Sequence, residues 1–323
     1  MRHPLRLALS VLTAATVVAV GTPASADTPP PRPTSTESVE VFSPDGKIGR
    51  VDIPKREESI TTFAAPPPAN VTALQQTGPS SQRFDLVFVG DGYTSSELAT
   101  FHAHAASQWA VMTSVEPFKT YKDSFNVWMV DVISTDSGVD NDPTQGVSKN
   151  TALGMYFWCG SIERLLCVNE STALAYAANA PAVDQVVALG NTTKYGGAGG
   201  TVATAAGGNA SAGQIVVHEL GHSMAGLTDE YEDGYGRYRG SEPSAANATI
   251  YTAAQLTSGK RKWYQYLGQA TPDGGVIGVY AGASGYSSGI YRPSQNSLMR
   301  TLGQPFNLIG LNAMTKAILA KTG

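Results

Sequence analysis

Two histidines and a glutamate, His218, Glu219 and His222, stand in the stretch HELGHSMAGLTDEY, residues 218–231. Successive helical residues advance by about 100°, so side chains four apart share one face. On a helix, His218 and His222 would offer two imidazoles to one metal ion, with Glu219 close enough to reach a water without ligating the metal. Zinc held in this way lowers the pKa of that water towards ~7 and polarises a carbonyl, while the glutamate carries the proton to the leaving amine. The spacing therefore predicts a zinc hydrolase. A chance match on an amphipathic helix is the bland alternative. The apolar stripe of Ile215, Val216 and Leu220, together with an export signal, weighs against it.

The third ligand is less plain, because no histidine follows His222. His102 and His104 lie far upstream on a predicted helix, where positions two apart do not face the same way. An oxygen must complete the set, and Asp229, Glu230, Glu232 and Asp233 follow at once. Gly226 supplies the turn, since a glycine just past a helix end accepts the left-handed conformation that redirects the chain. Asp229, Glu230 and Asp233 stay open as the ligand on this reading. Glu242, twenty residues after His222, is not read as a ligand, because GRYRGSEPSAANAT has no helical pattern.

A helix that carries such a site needs a sheet to lie against. The apolar run Phe84 to Val89, stopped by Gly-Asp-Gly, predicts a buried strand, and FNVWMVDVIS (125–134) a second. Residues 95–114 have helical spacing, with Thr94 or Ser95 as the cap. VDQVVALGN gives a third strand. TVATAAG (201–207) is either a weak fourth strand, at an edge that could pair with an extended substrate, or a flexible loop. After the His-bearing helix come a long irregular stretch, 232–297, and a final helix near Gly310–Lys321. This order predicts an α/β (α+β) fold with a mixed, twisted sheet over the active-site helix.

Ahead of this body, SVEVFSPDGKIGRVDIP shows two alternating runs around an Asp-Gly turn, a hairpin signal. Residues 1–26 read as a secretory signal peptide: Arg2 and Arg6, the apolar stretch Leu7–Val20, then Ala24-Ser25-Ala26. That stretch is short of the ~20 residues a spanning helix needs. The expected organisation is signal peptide 1–26, linker and small β-hairpin element 27–82 with a pro-segment as one reading, and catalytic domain 83–323. Loss of Arg2 and Arg6 takes the formal charge from −4 to −6. Such acidity argues against nucleic-acid or anionic-membrane partners. The expectation is a secreted, extracellular monomer acting on protein or peptide. Cys159 and Cys167, the two cysteines, are expected to form a local disulfide. Asp136, Asp140 and Asp142 offer oxygens to Ca2+, but polar turn residues without an ion are the preferred reading.

HELGHSMAGLTDEY, LVFVGDGYTSSEL, EPFKTYKDSFNVWMVDVIS, YFWCGS with RLLC, and SLMR together resemble the immunoglobulin A peptidase family of secreted bacterial zinc metallopeptidases, a metzincin-like group. The resemblance covers roughly residues 82–321. It implies a zincin catalytic domain whose C-terminal helix follows a Met-turn, and a zinc endopeptidase. His218, His222 and Asp229 would be the ligands, Glu219 the general base, and Met299 the apolar floor beneath the histidines. Asp229 is three residues after Gly226, as the metzincin pattern asks; Ser223, Met224 and Ala225 put one more residue before that glycine than the pattern has. Thr301 stands where many metzincins have an oxyanion-steadying tyrosine, so Tyr231, Tyr286 and Tyr291 become the candidates. The family name does not carry its immunoglobulin substrate over to this chain. A zinc amidase of the cell wall and an inactive zincin-fold binding module are the rival readings; the intact Glu219 disfavours the second.

Overall fold

A computed structural model describes residues 35–55 and 65–322. The signal-peptide reading, and the linker up to residue 34, lie outside the described residues. The first two strands, β1 (Thr36–Phe42) and β2 (Ile48–Pro54), form the expected antiparallel hairpin, closed at Pro44-Asp45-Gly46. Side chains alternate between faces along a strand. The inward face here holds Glu40 and Phe42 on β1, paired across the ladder with Arg50 and Ile48 on β2. Phe42 and Ile53 are almost fully buried against the main body, each worth roughly 1.5–3 kcal/mol.

The main body is a six-stranded sheet. Its elements in chain order are β3 (Asn70–Gln75), β4 (Phe84–Asp91), α1 (Leu98–Met112), β5 (Phe125–Asp131), α2 (Glu170–Ala177), β6 (Gln185–Gly190), β7 (Gly197–Ala198), β8 (Val202–Ala206) and α3 (Gly213–Ala225). Thr94 and Glu97 form a capping box ahead of α1. Then follow α4 (Ala253–Gly259), the hairpin β9 (Tyr280–Ala283) and β10 (Tyr286–Arg292), and α5 (Leu308–Thr322). Strand order is β3-β5-β4-β6-β8-β7, with the four inner strands parallel and both edge strands antiparallel.

Both faces of this sheet are covered, which is why β4 and β5 read as continuous apolar runs. Leu86 and Phe88 of β4 join Val127, Met129, Val187 and Leu189 beneath the helices α1, α3 and α5. Val87 and Val89 join Trp128, Val130, Val186 and Ala188 on the opposite face, with Ala173 and Ala177 of α2. Helix α3 packs between α1 and α5 and against β8, so the His-bearing helix does lie against a mixed sheet. No described helix is long and apolar enough to cross a membrane.

Three placements differ from the sequence reading. The soft segment ending near residue 82 contains β3, whose Val71 and Thr72 pair with Val130 and Met129. TVATAAG is an inner strand, since the two residues of β7 pair outside it and form the edge. The irregular stretch 232–297 holds α4 and the β9–β10 hairpin.

Candidate metal centre

One turn of α3 separates His218 from His222, and their rings stand edge to face with centroids 4.8 Å apart. Each ring is fixed from behind. His218 Nδ1 donates to the Leu298 carbonyl at 3.1 Å, and His222 Nδ1 donates to the Leu227 carbonyl at 2.7 Å. A carbonyl only accepts, so both protons sit on Nδ1 in the neutral rings. The two Nε2 atoms, 3.1 Å apart, are left to face one point.

The chain beyond the helix is turned by Gly226, at φ +59° and ψ +30°. Gly226 N–H donates to His222 O, the αL closure of a helix end, and Leu227 N–H donates further back to Gly221 O. The turn brings Asp229 back to the histidines: Asp229 Oδ1 is 3.2 Å from His222 Nε2 and 3.5 Å from His218 Nε2. Asp229 is buried, and its Oδ1 accepts no hydrogen bond of proper geometry.

A fourth group completes the set, and the sequence reading did not foresee it. Glu40 of β1 places Oε2 3.0 Å from His218 Nε2 and 3.7 Å from His222 Nε2. The ligand atoms of Glu40, His218, His222 and Asp229 all lie within 4.8 Å of one another. A tetrahedral ion with bonds of about 2.0–2.1 Å sets its ligand atoms about 3.3–3.4 Å apart. Five of the six separations here run from 3.0 to 3.7 Å. The spacing and the unpartnered Asp229 Oδ1 both fit a small metal ion.

The electrostatics point the same way. Burial alone would push the His218 imidazolium down, but the Glu40 and Asp229 carboxylates outweigh it and hold the group up at about 10. His222 is raised likewise against its burial. Burial would lift the Glu40 carboxyl, yet His218 beside it holds it well below the usual range. The carboxylates thus demand positive charge at the point the two Nε2 atoms face. Arg50 supplies some of it from the side, with its guanidinium 3.0 Å from Asp229 Oδ2 and 3.4 Å from Glu40 Oε1.

Glu219 stands beside this cluster without joining it. Its Oε1 is buried and has no hydrogen-bond partner. Burial, reinforced by the negative charge of Glu40, pushes its carboxyl up to about 7. The carboxylate lies against the backbone of Gly199, just past the edge strand: a Cβ on that residue would stand 2.1 Å from Glu219 Oε2. Glu219, His222, Gly199 and Gly200 line one cleft with Val39 and Glu40 of the hairpin.

The remaining candidates separate clearly. Glu230 faces away into a polar pocket, where Asn247, Asn307 and Ser297 donate to its oxygens at 2.9 Å. Burial nevertheless pushes that carboxyl up to about 7. Asp233 accepts from the Arg50 backbone N–H. Met299 is buried and gives its carbonyl to Glu230 N–H at 2.7 Å, so SLMR lies directly against the acidic turn. Of the three tyrosines, Tyr231 is at the cluster, donating to Glu40 Oε1 at 2.6 Å. Tyr286 packs on Tyr235 and Tyr238, and the Tyr291 backbone pairs with Thr249.

His102 pairs with Asp131 and His104 with Tyr93, both outside the cluster. Glu242 accepts from Thr249 and Ile250. Asp136, Asp140 and Asp142 accept from Asn150, Lys149 and Thr192. Cys159 and Cys167 form the expected disulfide, which is buried with Leu165, Ala198 and Ile53 of the hairpin. Glu40 could have been singled out only by knowing which face of its strand turns inward.

A family model described as IgA Peptidase M64 matches residues 72–276, a span that holds α3, the Gly226 turn and Asp229. No curated protein matches the chain.

Proposed function

The chain belongs to the IgA Peptidase M64 family of metallopeptidases, and from that premise we propose that it is a secreted, zinc-dependent endopeptidase with Glu219 as general base. The observation that carries this reading is the convergence of His218, His222 and Asp229 on one point, with the unpartnered Glu219 Oε1 beside it. His218, His222 and Asp229 hold the ion, and Leu298 and Leu227 keep the two imidazoles aimed through their carbonyls. Zinc, when bound, polarises the scissile carbonyl and makes water a competent nucleophile near neutral pH.

Glu219 does the proton work. A carboxyl lifted to about 7 by burial is well matched to accepting a proton from water and returning it to the departing amide nitrogen at neutral pH. The edge strand β7 and the glycines just past it, Gly199 and Gly200, give a peptide a surface to lie along, as in strand addition to a sheet edge. Met299, buried against the acidic turn, belongs to the floor of the site. Secretion accords with the single disulfide.

Zinc stoichiometry and cleavage of casein or a peptide library test the reading together. One zinc per chain is expected in the wild type and in Glu219→Ala, with cleavage lost in the variant by roughly 10²–10⁴-fold. Asp229→Ala should lose zinc. Undiminished cleavage in Glu219→Ala, or full zinc retention in Asp229→Ala, refutes the corresponding assignment.

A further inference from the structure

We propose that the β1–β2 hairpin is a built-in inhibitor of the metal centre, with Glu40 as a fourth protein ligand that fills the position water and substrate require. The proposal rests on the zinc-endopeptidase reading of the same site. Catalytic zinc sites keep one position open, whereas closed four-ligand sets are structural. With Glu40 Oε2 3.0 Å from His218 Nε2, the described set is closed.

Glu40 is not there by accident of packing. It is 8% exposed, and a buried carboxylate is costly unless positive charge compensates it. Its second oxygen is held too, by the Tyr231 hydroxyl at 2.6 Å and by Arg50, its own cross-strand partner. Arg50 in turn occupies Asp229 Oδ2. One rung of the hairpin thus engages both carboxylates of the cluster.

The hairpin also takes the place of a peptide. Strand β1 packs beside β7, and Glu37, Ser38 and Val39 line the cleft opposite Ala198, Gly199 and Gly200. Its seat lies to either side of the metal centre. Phe42 and the His218 ring stand edge to face with centroids 5.5 Å apart, Arg164 donates to the Phe42 carbonyl, and Leu302 N–H donates to the Gly46 carbonyl. Yet the hairpin is a separate two-stranded sheet that adds no strand to the six-stranded one. Its release would break no strand pairing of the six-stranded sheet, and residues 36–54 lie outside the stretch that matches the family.

The test uses the full chain as wild type, Glu40→Ala and Glu40→Gln, each loaded with Co(II) in place of zinc. The visible Co(II) spectrum reports coordination, and acetohydroxamate reports an open position. All three proteins are expected to bind one metal ion. The Glu40→Ala spectrum should differ from the wild type, and acetohydroxamate should bind that variant roughly tenfold or more tightly, because a plugged site binds in proportion to its open fraction. Peptide cleavage should rise in step. Identical spectra and equal acetohydroxamate affinities would overturn the proposal, as would loss of the metal from a folded Glu40→Ala chain.

An opened site that binds acetohydroxamate yet cleaves no peptide would uphold the plug and overturn the endopeptidase reading instead. Should Glu40→Ala fail to fold, a wild-type chain carrying an engineered protease site between Lys55 and Ala65 serves. Severing it should raise acetohydroxamate affinity, and no rise would overturn the proposal.

Discussion

Glu40 and Arg50 are direct partners across the hairpin ladder, and each reaches a different carboxylate or imidazole of the metal centre. An ion pair of this kind within one hairpin would be a small surface feature if it faced water. Here it faces inward, and it couples the seating of the hairpin to the charge of the site.

Arg50→Ala should loosen that seating. It removes the guanidinium contacts to Asp229, Glu40 and Tyr231, charge-assisted bonds of which one is worth about 1.5–3 kcal/mol. Amide hydrogen exchange across residues 36–54 should quicken by roughly tenfold or more, while the strands of the six-stranded sheet keep their protection. Unchanged exchange in the hairpin would show that its apolar seat alone holds it.

Gly199→Ala should impair catalysis without loss of metal. The added methyl would stand 2.1 Å from Glu219 Oε2, so the carboxylate must move away from its place beside the cluster. If Glu219 is the general base proposed above, such a displacement gives up much of a contribution worth about 10²–10⁴-fold. The measurement is kcat beside zinc content; a variant with normal kcat would mean that Glu219 works from another position.

Glu230→Ala should destabilise the fold more than the site. It strips the partner from Asn247, Asn307 and Ser297 within a fully buried pocket. Leaving one such donor unsatisfied costs about 1–3 kcal/mol, so the urea midpoint should fall markedly while the refolded fraction still binds metal. A midpoint within error of the wild type would show that water readily replaces the carboxylate.

His104 should give stability a pH dependence away from the metal. Burial lowers its pKa below the ordinary 6.5, and Nδ1 lies 2.8 Å from the Tyr93 hydroxyl. The unfolded chain therefore binds more protons between the folded value and 6.5, and stability rises with pH through that window. The contribution is complete above pH 6.5 and is lost as the pH falls below it. Urea midpoints measured from pH 5 to 7.5 should show a shallower slope for His104→Gln than for the wild type; equal slopes would assign the titration elsewhere.

Much of the site is legible in the sequence because it is local. His218, Glu219 and His222 need only a helix, and Gly226 announces the turn towards the acidic run, although Asp229 is set apart from Glu230 and Asp233 there only by the resemblance. The strands Phe84–Asp91 and Phe125–Asp131 are legible because burial on both faces leaves unbroken apolar runs. Alternation also reveals the hairpin, but a period of two does not say which face turns inward. Val39 and Val41 look like the buried side, whereas Glu40 and Phe42 are more deeply buried. Strand β7 has only two residues and exists through its pairing with β8, so no local pattern announces the true edge. Helix α2 is short, and its Asn169 cap is its main local signal.

The two carbonyls that anchor the imidazoles belong to Leu227, just past the helix, and Leu298, far along the chain. Neither ring can swing without breaking a bond to a different segment, so the Nε2 atoms are held at one separation. Such a frame discriminates by ligand number and hardness. Calcium seeks 6–8 oxygens at about 2.3–2.6 Å, and two imidazole nitrogens with two carboxylates give it neither the number nor the kind of donor. Ions that accept nitrogen donors suit this donor set, and the two carbonyl bonds aim those nitrogens before any metal arrives.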